Sequence, residues 1–243
     1  MALTLDTSLR IPATANETSA ANPLAVDFTC GANAKALVVI VIYGGSTDRT
    51  GGSVTYNGVA MTDYLATVNA TEVTSELWYK EDPPVGSAYS ISIPNTNTRD
   101  IKAYAVSVNA APGYTCSEDN GGGQAATSTN PYASGTYSAA GVFIVAGVGT
   151  GDNTFAPSAY TGTGLYLDDV GTWGTSAQYF VTTGAGATVL TWTEATEDDW
   201  ASVCIGFAEV LAIKTSSKTG ICGVCTGSFI RVPGLTRRNT GLI

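Results

Sequence analysis

The chain has no histidine among its 243 residues. That absence removes the Ser-His and Cys-His pairs on which most nucleophilic catalysis depends. Charge is scarce too, at 13% of residues, and no apolar run approaches the roughly 18 residues of a membrane-spanning helix. The opening MALTLDTSLRIPATANE has neither a basic start nor a long apolar segment, which predicts a soluble product made in the cytoplasm, with no membrane partner. Cysteine is sparse and odd in number, at five. Cys30 and Cys204 fall in apolar runs and are expected to be small buried hydrophobes. Cys222-Gly-Val-Cys225 has the spacing of half a zinc site or of a redox pair, but no histidine completes the first and no βαβ pattern surrounds the second. A local disulfide or two unpaired thiols is the expectation there, with no metal and no cofactor.

What remains points to β-structure. Glycine is abundant at 28 residues and apolar residues make up 44%, with Ser, Thr and Ala between short apolar runs, as suits many strands joined by turns. The strongest stretch is 35–93. Its opening run ALVVIVIY places Val38, Val39, Ile40, Val41 and Ile42 in succession and is followed by Gly44, Gly45, Gly51 and Gly52, which predicts a central strand with both faces covered. In SVTYNGVAMT, Asn57-Gly58 predicts a type I′ hairpin. TEVTSELWYKEDPP sets Val73, Ser75, Leu77 and Tyr79 on one face and Glu72, Thr74, Glu76 and Trp78 on the other, and Pro83 and Pro84 end it.

Further strands are expected at AVDFTC, YSISI, IKAYAVSV, LYLDD, SAQYFVTT, ATVLTWTE and WASVCIGFAEVLAI. GVFIVAGVG resembles the first central run in being apolar on both faces. YTCSEDNGGGQAATSTNPYASG predicts a loop or a crossover. The fold class that follows is all-β: about ten strands over 25–213 in a two-sheet antiparallel β-sandwich. An extended arm over 1–24 precedes it, in which LTLDTSLRI alternates enough to be an added strand anchored by Leu3 and Leu5.

Charge is distributed unevenly. Residues 214–243 hold Lys214, Lys218, Arg231, Arg237 and Arg238 and no acid; removing those five from eleven cations leaves six against twenty acids, so 1–213 carries −14. An acidic body disfavours nucleic acid, and a basic tail interleaved with Phe229, Ile230, Leu242 and Ile243 is suited to a groove on another protein, self-association included. The paired acids Glu81-Asp82, Glu118-Asp119, Asp168-Asp169 and Glu197-Asp198-Asp199 are expected at strand ends or in loops as solvated groups; Asp152, Asn153 and the 197–199 acids have the right ligand type for calcium but no recognisable ligand spacing. Trp78, Trp173, Trp192 and Trp200 are expected to fill a core or an interface; exposed, Trp173 or Trp200 would make a sugar-stacking platform.

SVTYNGVAMT, ELWYKEDPPVG and YAVSVNAAPG, in that order after LVVIVIY, resemble a jelly-roll-like β-sandwich domain of tailed-phage virion proteins and of bacterial surface or secreted proteins. The sequence departs from that pattern in Asn57, where Gly is common, and in the basic tail. The resemblance implies fold more than chemistry and supplies no catalytic residue. It leads to the expectation of a non-enzymatic structural virion protein, most concretely a capsid cement or decoration protein. Its partners would be the major capsid protein or other virion subunits, homo-oligomers included, contacted through Leu3, Leu5, Lys214, Lys218, Phe229, Ile230, Arg231, Arg237, Arg238, Leu242 and Ile243. A phage tail or fibre component and a carbohydrate-binding module are the alternatives.

Overall fold

Leu37, Val39 and Val41 alternate with Val38, Ile40 and Ile42, and successive strand residues point to opposite faces of a sheet. All six are fully buried, so this strand is covered on both sides. In the computed structural model, which describes residues 3–13, 19–44, 51–68, 73–95, 100–151, 161–169, 173–194 and 197–212, the cover comes from a stack of four sheets.

Nine strands fill the first part of the chain: β1 (Thr4–Ile11), β2 (Leu24–Thr29), β3 (Ala34–Gly44), β4 (Thr55–Tyr56), β5 (Val59–Ala60), β6 (Thr62–Val68), β7 (Val73–Glu81), β8 (Ala88–Ile93) and β9 (Ile101–Asn109). Seven follow: β10 (Tyr114–Ser128), β11 (Tyr132–Tyr137), β12 (Phe143–Thr150), β13 (Thr163–Asp169), β14 (Gly174–Val181), β15 (Gly186–Thr191) and β16 (Asp198–Leu211). The sheets run β1-β9-β3-β7-β6, β2-β8-β4-β5, β10-β16-β12-β14-β13 and β11-β15, all antiparallel.

Three cores separate the four layers. Val38, Ile40, Ile42, Leu77 and Val106 of the first five-stranded sheet meet Phe143, Val145, Val203, Ile205 and Phe207 of the second. On the far face of the first, Leu37, Val39 and Val41 pack on Phe28, Tyr56, Ile91 and Ile93 of the four-stranded sheet. On the far face of the second, Ile144, Ala146 and Val148 pack on Ala133, Leu190 and Trp192. Burying each large apolar side chain contributes about 1.5–3 kcal/mol, so the doubly covered strands β3 and β12 concentrate the stabilisation.

The two parts of the body repeat one another. Replacing β1, β9, β3, β7 and β6 by β10, β16, β12, β14 and β13 turns the first inner sheet into the second, and β2-β8 becomes β11-β15. The irregularities repeat as well. The bulge in β1 opposite Val108 and Ser107, at Asp6, recurs in β10 opposite Phe207 and Gly206, at Asp119. The bulge in β6 between Asp63 and Leu65 recurs in β13 between Gly164 and Tyr166. Both bulge aspartates accept a backbone N–H just beyond the next strand, Gly31 N to Asp6 Oδ2 at 2.7 Å and Ser138 N to Asp119 Oδ2 at 2.8 Å. Matching register and matching bulges make residues 3–109 and 114–212 repeat one inner-sheet topology, with β4 and β5 lacking a counterpart among the described residues of the second part, and the short turn at Pro112-Gly113 joins them.

Several expectations hold and several are corrected. Asn57 and Gly58 adopt φ of 53° and 70° between β4 and β5, the conformation a type I′ hairpin needs. A two-layer sandwich is replaced by four layers, because a two-layer stack leaves one face of each sheet to solvent and cannot cover β3 or β12 twice. Residues 4–11 form the added strand expected of LTLDTSLRI, at an edge of the first inner sheet and hydrogen-bonded to β9 of the same chain. The segment read as a loop is β10, 15 residues long, followed by β11.

Glycine disguised β10. A Cβ on Gly121 would strike Tyr64 and the Cys204 carbonyl, one on Gly122 the Ser134 carbonyl, and one on Gly123 Thr67 Oγ1 and the Ser202 carbonyl. The Gly121-Gly122-Gly123 run is therefore where other elements crowd a strand from both faces. Gly123→Val is expected to lower the free energy of unfolding by about 1–3 kcal/mol through overpacking, read from urea melts, while Gly184→Ala, at a site open to solvent, stays within about 0.5 kcal/mol of the parent.

Candidate functional site

The contact between the two inner sheets is apolar at its centre and polar along its two edges. At one edge β1 and β9 meet β13 and β14. Lys102 and Tyr104 share the inward face of β9 with Val106 and Val108, and Asp168 and Tyr166 face the same seam from β13. Asp168 is fully buried, and its Oδ2 accepts from Tyr104 Oη at 2.8 Å. The same oxygen lies 3.2 Å from Arg10 Nε and 3.6 Å from Lys102 Nζ. The Arg10 contact is an ion pair rather than an aligned hydrogen bond, and Asp168 Oδ1 has no hydrogen-bond partner.

Tyr104 Oη also lies 2.5 Å from Thr175 Oγ1. The Tyr104 and Tyr166 rings stack at 5.3 Å, Arg10 sits 5.0 Å over Tyr166, and Ser8 Oγ is 2.9 Å from Tyr166 Oη. Burial, and after it the charge of Asp168, holds the Tyr104 phenol well above its ordinary value, so it serves as a donor and not as a base. A carboxylate flanked by two cations in a dry site fixes how two surfaces meet. The chemistry of this cluster is adhesion between the halves.

At the opposite edge β6 and β7 meet β10 and β16, and the groups are acidic. Tyr64 Oη donates to Glu118 Oε1 at 3.1 Å, Glu118 N donates to Glu81 Oε1 at 3.0 Å, and Ala111 N donates to Glu209 Oε1 at 3.2 Å. Lys35 pairs with Asp82 at 3.2 Å in an exposed ion pair. Cys116 lies among these acids; burial first, then Asp82, Glu81 and Glu209, pushes its thiol up to about 12. The carboxylates come from both halves. Glu209 is followed by the exposed apolar pair Val210 and Leu211, at 43% and 62% exposure, where the body leads into residues 213–243.

The expected contact residues divide into two groups. Leu3 is 1% exposed, and Leu5, partly buried, packs against the same central core. Lys214, Lys218, Phe229, Ile230, Arg231, Arg237, Arg238, Leu242 and Ile243 lie outside the described residues, as do Cys222, Cys225, Asp152 and Asn153. Asp168 is not the solvated acid that its place near a strand end suggested. Asp199 N donates to Asp198 Oδ1 at 2.7 Å, and Thr127 Oγ1 donates to Asp199 Oδ1, so both acids have local partners. Trp78, Trp173, Trp192 and Trp200 are all buried and expose no stacking face to a sugar.

Arg10, Lys102, Tyr104, Tyr166 and Thr175 escaped the sequence reading. The signal was a cation at an inward position of IKAYAVSV together with an acid at an inward position of LYLDD. Comparison with known protein families, curated proteins and solved structures finds no match.

Asp168→Ala is expected to cost about 3–5 kcal/mol of unfolding free energy in denaturant titration, because Arg10 and Lys102 lose the carboxylate they share in a buried site. Asp82→Ala in the exposed pair changes it by less than about 1 kcal/mol. Tyr56, Tyr64, Tyr79, Tyr104 and Tyr137 are all raised, with burial the first cause in each. Their neutral forms are the ones the fold holds, so that contribution is complete below about pH 10 and is lost as pH rises further and the unfolded phenols ionise. Alkaline titration at constant denaturant should show stability falling above that pH, with the phenolate absorbance of these residues appearing together with unfolding.

Proposed function

We propose that the chain is a structural virion protein, most concretely a cement or decoration protein of a tailed-phage capsid, built from two jelly rolls placed face to face. The observation that carries this is strand order. With β6 set aside as an added edge strand, the eight remaining strands of the first half run 1-8-3-6 in the inner sheet and 2-7-4-5 in the outer one, the jelly-roll order. Double-sheet jelly rolls recur in viral capsid and lectin domains. The stretches that resemble phage virion domains, from Ser53 to Gly113, fall in this half and the turn that follows it, and the second half repeats its inner sheet.

In this reading the mechanism is adhesion. Arg231, Arg237 and Arg238 pair with carboxylates of neighbouring subunits while Phe229, Ile230, Leu242 and Ile243 enter apolar grooves beside them. The acidic edge and the exposed Val210 and Leu211 support a cationic, partly apolar contact at that end of the body. A lectin role, the other use of the same fold, has no exposed tryptophan to rest on.

The test is to purify particles from the native source, locate the chain with a gold-labelled antibody, and add back a chain lacking 214–243. The full chain is expected over the shell; the truncated chain is expected to give unchanged circular dichroism and to fail to coat particles. Label confined to the tail replaces the shell role by a tail role, and absence of the chain from particles, or full coating by the truncated chain, overturns the proposal.

A further inference from the structure

The two inner faces are equivalent in topology but opposite in shape. Register fixes the equivalences: Ile42 pairs with Ser75 and Lys102 where Gly149 pairs with Thr175 and Ala201, and Ile40 pairs with Leu77 and Tyr104 where Gly147 pairs with Ala177 and Val203. Over these two rows nearly every large residue of the first half answers a small one of the second. Two rows further along the relation reverses, since Ala36 and Val108 stand where the second half has Phe143 and Phe207.

Equivalent positions also touch each other. A Cβ on Gly147 would lie 2.9 Å from Ile40 Cγ2, and one on Gly149 would strike Ile42 and Val73. The edges follow the same rule. Arg10, opposite Tyr104, is equivalent to Gly123, opposite Val203, and Asp168, opposite Thr175, to Thr67, opposite Ser75. Arg10 meets Asp168 and Tyr166 at one edge, while Gly123 closes on Thr67 and Leu65 at the other.

We propose that these faces are a mutually selective docking pair: the face of residues 3–109 accepts the face of 114–212, from its own chain or by reciprocal exchange with a second copy, and rejects its own kind. Two first-half faces in this geometry would drive Ile40 against Ile40 and bury Arg10 and Lys102 opposite Thr67 at both edges without a carboxylate. Two second-half faces would set Gly147 against Gly147, leaving a void, and bury Asp168 opposite Gly123 and Ala201 without a cation. The shared topology offers a two-fold contact that like halves could have made, and the side chains exclude it. Association between copies through these faces is therefore restricted to a first-half face meeting a second-half face, by exchange of halves.

The test uses the full-length protein with a protease sequence inserted between Ala111 and Pro112, cleaved after folding, then unfolded, refolded and weighed by native mass spectrometry. Every complex is expected to hold the two fragments in equal number. Fragments that separate on cleavage, or a complex containing two copies of one fragment and none of the other, overturn the proposal. A second arm needs no refolding: in the uncut chain Gly147→Ile should lower the melting midpoint by about 5 °C or more, and adding Ile40→Ala should recover part of it. A double variant that melts as low as the two single losses combined would show that the faces are not complementary and would equally overturn the proposal.

Discussion

The structure depends on strands that are apolar on both faces. A sheet turns alternate residues to opposite sides, so a run such as Val38 to Ile42 has to be covered twice, and β12 makes the same demand through Phe143, Ile144 and Val145. A strand of this kind cannot lie in an outer layer. Two inner sheets carrying two such strands face each other, and each then needs an outer sheet beyond it. The four layers follow, with the smaller sheets β2-β8-β4-β5 and β11-β15 outside.

Duplication is an economical way to meet that demand, because a module with one unfinished apolar face is completed by a second module with another. What makes this chain more than a symmetric pair is the divergence of the two contact faces. Isoleucine stands against glycine, and a buried carboxylate meets two cations across the seam. A buried charge cluster is poor support for stability by itself but discriminates well between alternative pairings. The same seam carries unlike chemistry at its two edges, closed and charge-paired at Asp168, acidic and partly open at Glu81, Glu118 and Glu209.

Much of the fold was legible in the sequence. The β3, β7, β9 and β16 runs, the Asn57-Gly58 turn and the proline stop after β7 all carried local signals that the tertiary structure did not override. The layer count is legible too: two-faced apolar runs need cover on both sides, which a two-layer sandwich gives to no strand. The duplication was hidden because register and bulges repeat while side chains do not; Ile40 and Gly147 share a position and no chemistry. β10 was hidden because Gly121 to Gly123 look like a turn when read locally, although their reason is long-range, in Tyr64, Ser134 and Thr67. The charge cluster was masked by the general rule that acids near strand ends are solvated, which Asp168 breaks because Arg10 and Lys102 meet it from a strand edge far away in sequence.

The two halves stand as one cooperative body because each covers a face the other cannot leave bare. Amide hydrogen exchange under native conditions tests it most directly, since it reports the free energy of opening segment by segment. The amides of 36–42 and of 143–148 are expected to exchange through a single shared opening with the same free energy. Early exchange across 143–148 while 36–42 stays protected would contradict it, because the first half would then be complete without the second.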